Sequence, residues 1–115
     1  MLFRSLSAEP ARFGSPWNFG PADADAKPVS WIADALAKSW GGTAVWNNDS
    51  AMHPKEARFL KLDVSKSKSD LGWEPVLPLR EALEWIVAWY QLFQNGGNIG
   101  AFTRTQITQY EALME

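Results

Sequence analysis

The stretch Leu79-Arg80-Glu81-Ala82-Leu83-Glu84-Trp85-Ile86-Val87-Ala88-Trp89-Tyr90-Gln91-Leu92-Phe93-Gln94 decides how this chain folds. Leu79, Ala82, Leu83, Ile86, Val87, Tyr90 and Phe93 recur at i, i+3, i+4, i+7, i+8, i+11 and i+14, which traces one face of an α-helix. Trp85, Trp89 and Leu92 stand beside that face. At ~100° per residue the apolar arc covers roughly 220° of the circumference, against the ~100° stripe of an ordinary surface helix. A helix wetted over so little of its girth is normally covered on two sides, and the remaining chain offers few elements to do it.

Working outward, the flanks read as short elements. Residues 1–16, with Pro10, Gly14 and Pro16 among polar residues, read as a loose lead-in with a helical turn near Phe3 and Leu6. The remaining span, 17–115, reads as one domain. Trp17-Asn18-Phe19 is a short strand stopped by Gly20-Pro21. After a loop to Pro28, Ser30 stands at an N-cap position before a helix over 31–40, with Trp31, Ile32, Ala35, Leu36 and Trp40 at helical spacing and Gly41-Gly42 as its stop. Residues 43–47 alternate as a strand, and 59–62 form another. Asp63 caps a short helix over 64–70, which Leu71-Gly72-Trp73 closes. Beyond Asn95-Gly96-Gly97, Thr103 and Gln106 fit a T-x-x-Q capping box opening a terminal helix with Ile107, Tyr110 and Met114 on its apolar face. The order β-α-β-β-α-α-α predicts a mixed α/β fold.

Length and composition bound the function. At 115 residues the chain holds one domain, too short for a dinucleotide-binding half and a substrate half together. Eleven basic and 13 acidic side chains leave a formal charge of −2, so neither nucleic acid nor an anionic membrane is an expected partner. With no cysteine there are no disulfides and no thiolate chemistry. No apolar run approaches the ~18 residues of a membrane span, and Met1-Leu2-Phe3-Arg4 lacks a signal-peptide layout; a cytoplasmic location is expected. Seven Trp, six Phe and two Tyr make an aromatic load heavy enough to predict that some meet another chain or domain, the rival being a compact aromatic core.

Chemistry-bearing residues are sparse. His53 is the only histidine, and no metal-ligand spacing surrounds it. Asp23 and Asp25 sit in a solvated loop without EF-hand spacing, and Gly96, Gly97 and Gly100 follow a helix, as a C-cap does, rather than a strand, as a phosphate cradle does. The segment from His53 to Lys61 places Lys55, Arg58 and Lys61 with Glu56 and the imidazole within nine residues. Lys55 and Arg58 could neutralise a pyrophosphate, Arg58 as a bidentate fork, with His53 donating to the same oxygens; a solvated basic loop is the other reading.

Several segments carry a resemblance. Trp17-Asn18-Phe19-Gly20-Pro21, Lys27-Pro28-Val29-Ser30-Trp31-Ile32, His53-Pro54-x-Glu56-Ala57-x-x-Leu60-Lys61-Leu62-Asp63, Ser65-Lys66, Leu71-Gly72-Trp73-x-Pro75 and Glu81-Ala82-Leu83 with Trp89-Tyr90 resemble the C-terminal region of the CDP-glucose 4,6-dehydratase family. That family lies among the extended short-chain dehydrogenase/reductases, the NAD-dependent epimerase/dehydratase superfamily with an NAD(P)-binding Rossmann-like fold. The D-x-S-K and L-G-W-x-P motifs are widespread in the superfamily, whereas the W-N-F-G-P, K-P-V-S-W-I and H-P-x-E-A segments point to the CDP-glucose branch. The likeness spans about residues 15–112, the last third of such an enzyme.

The resemblance implies sugar oxidation at C4 by NAD, loss of water across C5 and C6, and hydride return to C6, in the making of deoxysugars for O-antigen polysaccharides. The Gly-rich cofactor turn and the Tyr-x-x-x-Lys pair of that chemistry are not in this sequence, since Gln94 follows Tyr90 and Met114 follows Tyr110 at that spacing. The expectation is therefore a substrate-binding part lacking the Rossmann half, with no bound cofactor, no catalytic residue of its own and no redox turnover alone. By position His53, Lys55, Glu56 and Arg58 are the expected substrate contacts, gripping the diphosphate of a nucleotide sugar such as CDP-glucose. Lys55 departs from the family, which usually has a second His there, and Pro78 stands where a capping residue is commoner. Expected partners are a complementary N-terminal cofactor domain or a second copy, and Met1 opening onto a mid-domain segment favours truncation. From another class, a small interaction module with exposed aromatics remains open.

Overall fold

The computed structural model describes residues 2–52 and 61–115. Among them the chain forms six helices: α1 (Leu2–Ala8), α2 (Pro10–Phe13), α3 (Val29–Trp40), α4 (Ser65–Leu71), α5 (Leu79–Gln94) and α6 (Ile99–Leu113), with a 3-10 turn at Asp23–Asp25 between α2 and α3. No strand occurs among the described residues. The mixed α/β expectation is therefore corrected: the described chain is helical. A strand must pair its backbone with a neighbour, and none is offered here. Residues 17–19 run extended beside α4, where the Asn18 carbonyl accepts from the Ser67 hydroxyl rather than from a ladder. Residues 43–47 are likewise unpaired, with the Trp46 indole turned back to donate to Asp34 at 2.8 Å. Of the third predicted strand, Phe59 and Leu60 lie outside the described residues, and Lys61-Leu62 is irregular.

The long helix has the bounds its periodicity predicts, Leu79–Gln94. α5 is the central element, with α3 along one flank and α6 along the other. Leu83 and Val87 are buried, but Ile86, Tyr90 and Phe93, on the same apolar arc, are 47%, 54% and 59% exposed. Two sides of α5 are covered, and a stripe between them is bare.

The other elements show how local chemistry sets their ends. α3 begins at Val29, so Ser30 lies inside it rather than capping it; Pro28 is the N-cap and makes no side-chain cap bond. Gly41, at φ 82°, ends it as expected. Asp63 does its work one residue earlier than a cap: its carboxylate accepts from the Ser65 N–H at 2.9 Å and the Ser65 hydroxyl at 2.6 Å, and α4 starts at Ser65. Gly72 closes α4 in the left-handed region, its N–H bonding to Lys68 O while that of Trp73 reaches Ser67 O, a paired ending that only Gly adopts freely.

α6 corrects the capping-box expectation. It starts at Ile99 with Asn98 as N-cap, accepting from the Ala101 N–H at 3.0 Å. Thr103 and Gln106 lie inside it, one turn apart on the face turned to α5. The Thr103 hydroxyl accepts from the Trp89 indole N–H at 2.9 Å, and Gln106 donates to Trp85 O at 3.0 Å. Residues 2–16 hold α1 and α2, of which only Phe13 is buried.

Candidate functional site

The sequence places the candidate substrate contacts at His53, Lys55, Glu56 and Arg58, and all four lie outside the described residues. What the structure gives is the shoulder on which that segment ends. There the W-N-F-G-P and D-x-S-K motifs, distant in sequence, are brought together. Ser67, fully buried, donates to Asn18 O at 2.5 Å, and the Asn18 amide donates to Asp63 O at 3.3 Å. The Lys66 ammonium donates to Ser15 Oγ at 2.7 Å and to Pro16 O at 3.0 Å, and lies 4.1 Å from the centre of the Trp17 ring. Phe19 meets Trp73 edge to face at 5.1 Å. Gly20 packs over Leu62 and Val64, where a Cβ would make ordinary van der Waals contact with both.

Below this shoulder lies an open hollow of about 410 Å³ lined by Asp23, Lys61, Leu62, Asp63, Val64, Ser65 and Lys68. Lys61 pairs with Asp23 at 3.0 Å, both side chains largely exposed. The Asp63 carboxyl is held below its ordinary value, first by the Ser65 hydroxyl, then by the Ser65 N–H, with a smaller pull from Lys61. Two ammonium and two carboxylate groups line the hollow, so it is balanced in charge and, by itself, no anion trap. Lys61, the last residue of the basic segment, is one of its walls.

The loop acids do structural work that sequence reasoning missed. Asp25 accepts from the Leu79 N–H at 3.1 Å, which supplies from the neighbouring turn the cap that Pro78 does not provide. No group of three His, Cys, Asp or Glu able to hold a metal occurs among the described residues. Glycines in the left-handed region mark turns among the described residues. The four at positive φ, Gly41, Gly42, Gly72 and Gly96, all follow the C-terminal ends of helices. Those ends present carbonyls, whereas a dinucleotide pyrophosphate is held by N–H groups at a helix start.

Apolar hollows occupy the other side. One of about 490 Å³ is lined by Leu77, Ala82, Trp85, Ile86, Trp89, Tyr90 and Gln106. None of the seven tryptophans is fully buried. No helix among the described residues is long and apolar enough to cross a membrane.

No family model matches the chain. Among curated proteins it is 42% identical over 110 residues to a CDP-glucose 4,6-dehydratase of Salmonella typhimurium (strain LT2). The likeness takes in 96% of this chain but 31% of that dehydratase, consistent with a C-terminal portion of it.

Proposed function

We propose that this chain is the substrate-holding, C-terminal part of a nucleotide-sugar dehydratase acting on CDP-glucose or a close relative, and that it performs no redox chemistry alone. The observation that carries this is the 42% identity running through 96% of the chain. Support comes from the shoulder, where the motifs behind the likeness pack on one another instead of lying scattered. On this reading Arg58 takes the diphosphate as a bidentate fork, Lys55 adds a point charge, and His53 and Glu56 hold the remaining polar groups. The hydride carrier and the Tyr-x-x-x-Lys base belong to the part of the dehydratase with no counterpart here.

Isothermal titration of the full chain with CDP-glucose tests the reading. Binding is expected, weakened at least about tenfold by Arg58→Ala, since a lost charge-assisted fork is worth more than a neutral hydrogen bond. No heat at millimolar ligand would overturn the substrate-holding role. Turnover of CDP-glucose by the purified chain with added NAD would overturn its inertness.

A further inference from the structure

Residues 2–16 have little buried surface to hold them. α1 buries none of its side chains, and its Phe3 is 88% exposed. α2 buries Phe13 alone. That ring stacks on Trp17 with centres 6.0 Å apart, and the Phe13 carbonyl accepts from the Trp17 indole N–H at 2.9 Å. Trp17 is therefore the peg on which α2 hangs.

The peg is gripped by α4. The Lys66 ammonium lies 4.1 Å from the centre of the Trp17 ring and donates to Ser15 Oγ at 2.7 Å and to Pro16 O at 3.0 Å. One exposed cation thus takes hold of three consecutive residues, 15–17. The next residue along is held in another way, since Asn18 O accepts from the fully buried Ser67 hydroxyl.

The two grips differ in strength. Breaking the Ser67 bond in place strands a buried hydroxyl, which is costly. A cation over a partly exposed ring, and hydrogen bonds open to water, exchange for solvent at little cost. A segment with few buried apolar contacts opens locally, ahead of the whole fold. The change of grip between Trp17 and Asn18 therefore marks where such an opening stops.

We propose that residues 2–16 form an arm that leaves α4 as one unit, with Lys66 as its latch and the Trp17–Asn18 junction as its hinge. Opening bares Phe13, frees the Lys66 ammonium and leaves Ser67 tied to Asn18. The device does not depend on whether the chain holds a nucleotide sugar.

Amide hydrogen exchange of the full chain tests it. The Phe13 and Gly14 N–H groups, bonded to Glu9 O at 3.1 Å and Pro10 O at 2.8 Å, report on the arm, and those of α5 report on the body. Lys66→Met keeps the stem and removes the charge, so it should speed exchange in the arm about threefold or more, as loss of a cation–π contact at an exposed site does. Exchange in α5 should not change. Lys66→Arg keeps the charge and should retain the slow exchange. In the unaltered chain the Lys66 methylene next to the ammonium should resonate upfield, shielded by the Trp17 ring, and Trp17→Leu should abolish that shift. Arm exchange indifferent to Lys66→Met would overturn the latch. Exchange that quickens equally in the arm and in α5 would overturn it too, since the whole fold would then be loosening.

Discussion

Ser67 shows how much one small side chain can hold. It is the only fully buried polar residue among those described, and its hydroxyl binds the W-N-F-G-P segment to α4. Ser67→Ala should cost about 1 kcal/mol, the net worth of one hydrogen bond; Ser67→Val should cost more, having no space for its methyls. Urea melts of the two variants check the order, and equal midpoints would refute the tie. Asp63 makes a prediction in pH. Its folded carboxyl lies below the ordinary 3.8 because Ser65 donates twice to the charged form. The stabilisation is therefore fully present above 3.8 and is lost as pH falls from there through the folded value. Asp63→Asn should flatten that acid limb, and NMR titration of the Asp63 carboxyl should show the lowered midpoint. At this scale the sequence was informative about type and imprecise about position. Asp63 was legible as a helix-starting residue because an Asp accepts readily from the N–H two residues on, here that of Ser65. Ser67 was not, since nothing local distinguishes it from Ser65 or Ser69; its importance comes from a chain segment nearly fifty residues away.

Elements set by their own periodicity were legible, and those needing distant partners were not. α5 was readable because seven apolar positions over sixteen residues keep one helical spacing and glycine follows, Gly97 standing where a Cβ would collide with the Leu92 side chain. The three predicted strands failed at the next level up: alternation is a local property, but a strand exists only beside a neighbour. Thr103 and Gln106 were misread for a related reason. Their i, i+3 spacing suits a capping box, and it equally suits two contacts on one face of a helix already begun. Their actual role predicts that Thr103→Val, close in shape, leaves the Trp89 indole N–H without its acceptor and costs about 1–2 kcal/mol. Asp25→Ala should release the Leu79 N–H and cost about 0.5–2 kcal/mol, the range of a lost cap. Hydrogen exchange at the first turn of α5 should rise in that variant, and an unchanged rate would remove Asp25 from the role. The candidate site was legible only as composition, since the four residues from His53 to Arg58 lie outside what the structure describes.

The whole molecule is a slab of 51 × 40 × 21 Å, its thinnest dimension about two helix diameters. Its radius of gyration of 17.7 Å exceeds the roughly 13 Å of a compact chain of this length. The apolar side chains buried among the described residues are Phe13, Val64, Leu71, Leu83 and Val87, whereas domains ordinarily close two layers over one core. The wide apolar arc of α5 already implied this shortfall in the sequence, because the arc asks for more cover than two helices give. A denaturant slope follows the surface exposed on unfolding, so urea unfolding of the dilute chain should be shallow, near about 1 kcal/mol/M, the low end for small proteins. A steep transition would instead require a core that these five side chains do not supply.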